Sequence, residues 1–314
     1  MKKSALLATF LMLSTTGCPP AKEQTGSADG ARDAIPGAEE LKVEVPAGTA
    51  KPTDPRVGDV ATFYVATLAT ATVLNGGAAF VLILVRTIVS FPVTSVEGDT
   101  FIWGPWTESG LKPGEYRLTA RMNDDGDYEW RFQGRKKADG AAAAFKDVVS
   151  GLATPGSTPH RGTGSFTMDF DTARAIDPLS DPNAQGQLSV TYDLERVPVT
   201  IAMDAERLAP TQGGGSALAT FHYEYSQAAD GSGELSFMSF GDTDDAGAGW
   251  EMSQVHSRWK QNGAGRADVM VSGGDLGSTT VSATECWSSA YLRTYYTDSV
   301  AWIPTEGLAS TCAF

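Results

Sequence analysis

Hydrophobic and polar positions divide this chain sharply. No charged residue occurs between Asp59 and Arg86, and nearly every position from Val60 to Phe91 is apolar, Ala or Thr. A segment of this kind must be buried in protein or in lipid. Asn75-Gly76-Gly77 interrupts it with a strong local breaker, and Thr62, Thr67, Thr70 and Thr72 dilute its apolarity. The pattern predicts two buried core helices, Val60–Leu74 and Ala78–Phe91, the second stopped by Pro92. Arg86 and Ser90, four apart, would turn one face near that end toward water. A β-hairpin turning on Asn75-Gly76 and a single membrane span are the alternatives. The absence of period-2 alternation counts against the hairpin, and the interruption at Asn75 against the span.

Beyond Thr100 the period changes. Short runs of aromatic and β-branched residues alternate with Gly, Asp and Asn. Strands are expected over Thr100–Trp106, Glu115–Met122, Asp127–Gly134, Phe145–Ser150, Gly164–Asp171, Gln187–Leu194 and Val197–Ala205. They continue over Ala217–Tyr225, Glu234–Phe240, Trp250–Lys260, Arg266–Ser272, Thr279–Thr284 and Ala290–Tyr296. Phe166, Met168 and Phe170 would share one face and Thr167, Asp169 and Asp171 the other; Leu188, Val190, Tyr192 and Leu194 repeat the pattern. Asp125-Gly126, Asp139-Gly140, Asp230-Gly231 and Asn262-Gly263 mark tight turns. The fold class expected is therefore mainly β: an antiparallel meander of more than ten strands, curled or closed into a barrel-like sheet around the helix pair. Matching segments around Lys137-Ala-Asp-Gly-Ala and Lys260-Gln-Asn-Gly-Ala suggest an internal repeat of residues 114–172 and 236–296.

The first residues read as a targeting segment rather than structure. Met1-Lys2-Lys3 is basic, Ala5–Leu13 is a short apolar run, and Thr15-Thr16-Gly17-Cys18 follows, so residues 1–17 are a signal peptide. Gly17 before Cys18 resembles the bacterial lipoprotein signal, although Thr15 stands where Leu is usual. That resemblance implies cleavage before Cys18 and lipidation of its thiol, holding the chain at a membrane without a spanning helix. Pro19 in the next position, rather than Asp, leans toward the outer membrane. The alternative is a plain secretory signal with a spare Cys. From Cys18 to Arg56, Pro, Gly, Ala and charges dominate with no aromatic residue, which reads as a disordered tether of roughly 35 Å as a flexible coil. Residues 57–314 then form a single β-rich domain.

Composition narrows the function classes. A formal net charge of −14, more negative still once Lys2 and Lys3 are removed, argues against nucleic acid and anionic headgroups as partners. The single basic run, Arg135-Lys136-Lys137, reads as a solvated loop. With Cys18 lipidated, Cys286 and Cys312 form an even pair expected as a disulfide in an oxidising compartment. Closing a loop of about 25 residues, it would contribute roughly 3–4 kcal/mol.

Chemistry-bearing motifs are sparse. There is no Gly-x-Ser-x-Gly elbow, His-Glu-x-x-His or phosphate-binding Gly-x-x-x-x-Gly-Lys loop. With His160, His222 and His256 the only histidines and no close Cys spacing, no metal site or cofactor is expected. His222 and Glu224 share a strand face expected to meet solvent. Asp242, Asp244 and Asp245 lack the acidic twelfth position of a calcium loop, and Asn123 to Asp127 reads as a turn. Trp103, Trp106, Trp287, Tyr291, Tyr295 and Trp302 are the candidate ligand-binding residues, either capping the sheet or lining a ligand mouth.

At Cys18, in Gly164-Ser-Phe-Thr-Met-Asp-Phe-Asp171, and in Thr284-Glu-Cys-Trp287 with the closing Cys312-Ala-Phe, the chain resembles uncharacterised lipoproteins of soil and predatory bacteria. The resemblance implies an envelope location and carries no activity. A more distant likeness, of architecture alone, is to envelope lipoproteins that carry lipids in a curved sheet closed by helices. The expected function is a non-enzymatic, lipid-anchored binding or structural module, with an apolar small molecule as its possible ligand. The alternative is an envelope hydrolase acting on glycans through Asp and Glu on the sheet.

Overall fold

The computed structural model describes residues 26–47, 56–107, 113–178, 185–211, 215–242 and 249–312. The signal segment, Cys18 and the Asp244-Asp245 loop lie outside them. Three α-helices are present among the described residues: α1 (Ala28–Ala34), α2 (Thr62–Ser90) and α3 (Phe170–Ile176). The strands are β1 (Ser95–Glu97), β2 (Thr100–Thr107), β3 (Gly114–Met122), β4 (Tyr128–Lys136), β5 (Lys146–Thr154), β6 (Thr163–Asp169), β7 (Gln187–Asp193) and β8 (Val199–Thr211). They continue as β9 (Gly215–Gln227), β10 (Gly233–Gly241), β11 (Glu251–Trp259), β12 (Gly265–Gly273), β13 (Thr280–Trp287), β14 (Arg293–Asp298) and β15 (Glu306–Gly307).

All fifteen strands form one antiparallel sheet in strict sequence order, β1 to β15. The sheet is not closed: β1 and β15 are its two edges. The meander is as expected; barrel closure is not observed. Alternation decides which face is covered, because the strands turn apolar residues to one side. Leu188, Val190, Tyr192 and Leu194 are all buried, as are Phe221, Tyr223 and Tyr225. Close packing constrains glycines in this layer: a Cβ on Gly151 would fall 2.3 Å from the Trp130 ring directly across the ladder. β6 stops earlier than its alternation predicts. Asp169 accepts from the Thr172 N–H at 2.8 Å and caps α3, a local side-chain bond that competes with the ladder.

The apolar stretch is one continuous helix, not two. Asn75 and Gly76 lie within α2, and the asparagine does not break it because its amide has a partner elsewhere. Asn75 Oδ1 accepts from the Val43 N–H at 2.7 Å, and Asn75 Nδ2 donates to the Val43 carbonyl at 3.0 Å. Nor is α2 buried all round. Tyr64, Thr67, Ala71, Leu74, Val81, Leu82, Val85, Ile88 and Val89 are buried at helical spacing, while Ala69, Thr72, Val73, Gly76, Ile83, Thr87 and Ser90 meet solvent. Its inner side packs against β11, β12 and β13.

Residues 26–47, expected as tether, are a folded strap running antiparallel along α2. Ala31, Ala34, Ile35, Leu41 and Val43 are buried in the common core. Along the strap, Arg32 reaches Val89, Glu40 pairs with Arg86 at 3.7 Å, Val43 meets Asn75, and Pro46 accepts from Tyr64 Oη at 3.0 Å. Arg86 therefore faces the strap, and also His160 at 3.2 Å. The low apolar content expected to leave this segment disordered is offset by polar contacts with residues remote in sequence.

Both ends of α2 are closed by charged side chains from other parts of the chain. Ala61 offers no side-chain cap; instead the Glu285 carboxylate accepts from the Thr62 and Phe63 N–H groups at 3.0 and 2.6 Å. Arg293 Nε donates to Glu285 at 2.6 Å, and both side chains are essentially inaccessible. Burial pushes the Glu285 carboxyl up, opposed by Arg293 and the helix N–H groups. At the other end, Arg32 donates to the Val89 carbonyl and, at 3.1 Å, to the Phe91 carbonyl, which also accepts from Trp103 Nε1 at 3.0 Å. An anion at the N-terminus and a cation at the C-terminus both complement the helix dipole. The Cys286–Cys312 disulfide forms as expected and holds the C-terminal tail beside this pair, where Glu306 lies 3.5 Å from Arg293.

Glu285→Gln is expected to destabilise the fold by about 3–5 kcal/mol, because it leaves Arg293 buried beside a neutral partner. Urea unfolding checks this, and the loss in E285Q/R293M should fall well below the sum of the two single losses.

Candidate functional site

The ladder between β9 and β10 is shorter than its neighbours. β8 and β9 pair over their whole length, from Val199 with Gln227 to Thr211 with Gly215. β10 and β11 pair from Gly233 with Trp259 to Gly241 with Glu251. Among the described residues, β9 and β10 pair only from Gln227 with Gly233 to Tyr223 with Phe237. Past that point the two strands diverge, and a split opens inside the sheet. Phe221 and Phe240 meet edge-on across it, with ring centroids 5.3 Å apart.

Beneath the split lies a cleft of about 380 Å³. Its floor is α2, through Ala69, Thr70, Val73 and Leu74; its walls are Phe221, Tyr223, Met238, Ser239, Phe240 and Trp250. Small residues on the helix leave room that a bulkier floor would fill. None of these side chains is charged. Val73 and Trp250 remain about half exposed, at 59% and 49%, so the cleft communicates with solvent.

On the opposite face of the sheet, registered neighbours form a polar row: Thr191, Ala202, Glu224, Ser236, His256, Asp268 and Thr284. Two shallow depressions, about 570 and 450 Å³, share Ser236 and His256 on this row. His222 faces solvent with Glu224, as expected. Its ring nitrogens meet Asp204 at 2.7 Å and Glu224 at 3.1 Å, and the hydrogen bonds to those two partners raise its pKa above the ordinary value. His256 pairs with Glu234 at 3.0 Å. Partial burial pushes Asp268 up, but Arg266, Thr284 and Arg258 outweigh it and hold this carboxyl below its usual range. A glycosidase acid needs the opposite displacement. Ser236 and His256 are cross-strand neighbours, with the His256 ring held by Glu234.

The aromatic residues singled out from the sequence do not form one site. Trp103 is fully buried at the C-terminal end of α2. Trp287 is buried at the opposite end, its Nε1 donating to the Gly263 carbonyl at 3.0 Å. Tyr291 stacks on Tyr64 at 4.5 Å and accepts from the Ala61 N–H at 3.0 Å, so it positions the helix start. Tyr295 is half-buried on β14, while Trp106 and Trp302 are exposed. Arg135 is not in a solvated loop; it lies on β4 and bonds Glu115 at 2.5 Å. Among the described residues, no cluster of three His, Cys, Asp or Glu side chains has a geometry fit for a metal ion. The cleft itself was missed. Its residues come from α2, β9, β10 and Trp250, just before β11, and no local pattern links them.

No family model, curated protein or solved structure matches this chain. The functional reading therefore rests on the geometry of the cleft and of the outer face.

An NMR titration should place the His222 midpoint above that of an ordinary histidine, and Asp204→Asn should lower it. Because the folded-state pKa is raised, the stability contributed by this histidine is full below the unfolded value of about 6.5. It disappears as pH rises through the folded midpoint.

Proposed function

We propose that this protein is a non-enzymatic binding module of the cell envelope, anchored through a lipidated Cys18 and leaning toward the outer membrane. It takes an apolar small molecule into the cleft beneath the β9–β10 split. One observation carries the reading: an uncharged, solvent-connected cleft floored by the uncharged first half of the helix that organises the core. A water-facing helix surface normally carries charge; here it presents Ala, Thr and Val at the one place where the sheet parts. The lining is aromatic and aliphatic, as in small-molecule sites. The folded strap also supports a tethered module, since it joins the proposed anchor to the core.

The protein is expected to increase the emission of 1-N-phenylnaphthylamine on binding it. Val73→Asp, which places a charge on the cleft floor at an already exposed position, should weaken that binding about tenfold or more, with the near-ultraviolet circular dichroism unchanged. Absence of any probe response in the parent protein overturns the ligand reading. Cys18→Ala should move the protein from the membrane fraction to the soluble fraction; continued membrane association would refute the anchor.

A further inference from the structure

The cleft and the outer-face depression of about 450 Å³ adjoin at β10. Met238 lines both. His222 on β9, Ser236 on β10 and Gln254, the registered partner of Met238 on β11, also line the depression. A molecule whose apolar part occupies the cleft would therefore have its polar end at this depression.

The chemistry of the polar side narrows the head group. Neither outer depression is lined by Lys or Arg among the described residues. An anionic head would find no cation, and would face Asp268, whose two nearby guanidinium groups already pair with it at 2.6 Å. A cationic head fares little better, since the carboxylates bordering this region have partners. Asp204 and Glu224 hold His222, Glu234 holds His256, and Asp268 holds Arg258 and Arg266. What remains is neutral. Ser236, Gln254 and Ser282 make no side-chain hydrogen bond among the described residues and line the depression. Hydroxyl and amide groups of this kind match hydroxyl groups, donor for acceptor.

We infer that the ligand is an amphiphile with an uncharged, hydroxyl-bearing head group, its chain in the cleft under β9 and β10 and its head at Ser236 and Gln254. This rests on the cleft reading above. Decyl glucoside, decyl phosphate and decyltrimethylammonium share one chain and differ only in the head. Each is to be titrated below its micelle concentration against 1-N-phenylnaphthylamine bound to the intact protein. Decyl glucoside should displace the probe at about one-tenth the concentration required of either charged compound, the ratio expected from one or two net hydrogen bonds. The surface variant Ser236→Ala/Gln254→Ala should abolish that advantage while leaving the affinity for the probe unchanged. Equal displacement by all three overturns the head-group assignment and leaves the cleft standing; preference for either charged compound overturns it as well. Failure of the probe to bind removes both readings together.

Discussion

A helix of 29 residues without a charged group over most of its length has no way of its own to satisfy its ends. The first N–H groups and last carbonyls need partners, and burying them unpaired costs far more than a typical hydrogen bond returns. Here both sets are met by charged side chains from distant positions. Glu285 on β13 closes the start, and Arg32 from the strap closes the finish. Each has the sign that the helix dipole favours. The remaining structure follows from keeping these charges in place: the buried Arg293 that balances Glu285, the disulfide that holds the tail beside it, and the strap that delivers Arg32.

The same arrangement accounts for the half-exposed character of α2. Pinning the helix at its ends, with the strap along one flank and β11–β13 on another, leaves a stripe of neutral residues uncovered. The chain carries a formal net charge of −14, and on the outer face of the sheet Arg121–Glu129, Arg131–Asp147 and Arg258–Asp268 pair across neighbouring strands. At the split between β9 and β10 the order of the sheet is interrupted, and there the neutral stripe is within reach of solvent. One local divergence of two strands brings the apolar floor and aromatic walls of the cleft to solvent.

Much of the architecture was legible from local patterns. Thirteen of the fifteen observed strands coincide with segments read from alternation and turn residues, since a strand's side-chain period is a property of adjacent positions. The pairing of Cys286 with Cys312 followed from their being the last available thiols. The two edge strands were not legible: β1 and β15 are only three and two residues long, too short to show a period. Asn75 misled for a related reason. Asparagine breaks a helix when its amide competes for nearby backbone, but this amide is occupied by Val43, 32 residues away. Trp103, Trp287 and Tyr291, named from the sequence as candidate ligand-binding residues, lie at the two ends of α2 rather than around one cavity.

The sequence by itself determined that the chain is a mainly β meander wrapped on an uncharged segment, because amphipathic periods and turn chemistry depend on near neighbours. Only the tertiary structure decided that this segment is a single helix, that residues 26–47 are folded, and that the sheet parts where Ala69 and Val73 lie beneath it. Those outcomes turn on contacts between residues tens to hundreds of positions apart, such as Phe63 with Glu285 across 222 residues. Contacts of that kind leave no periodic trace in the order of the amino acids.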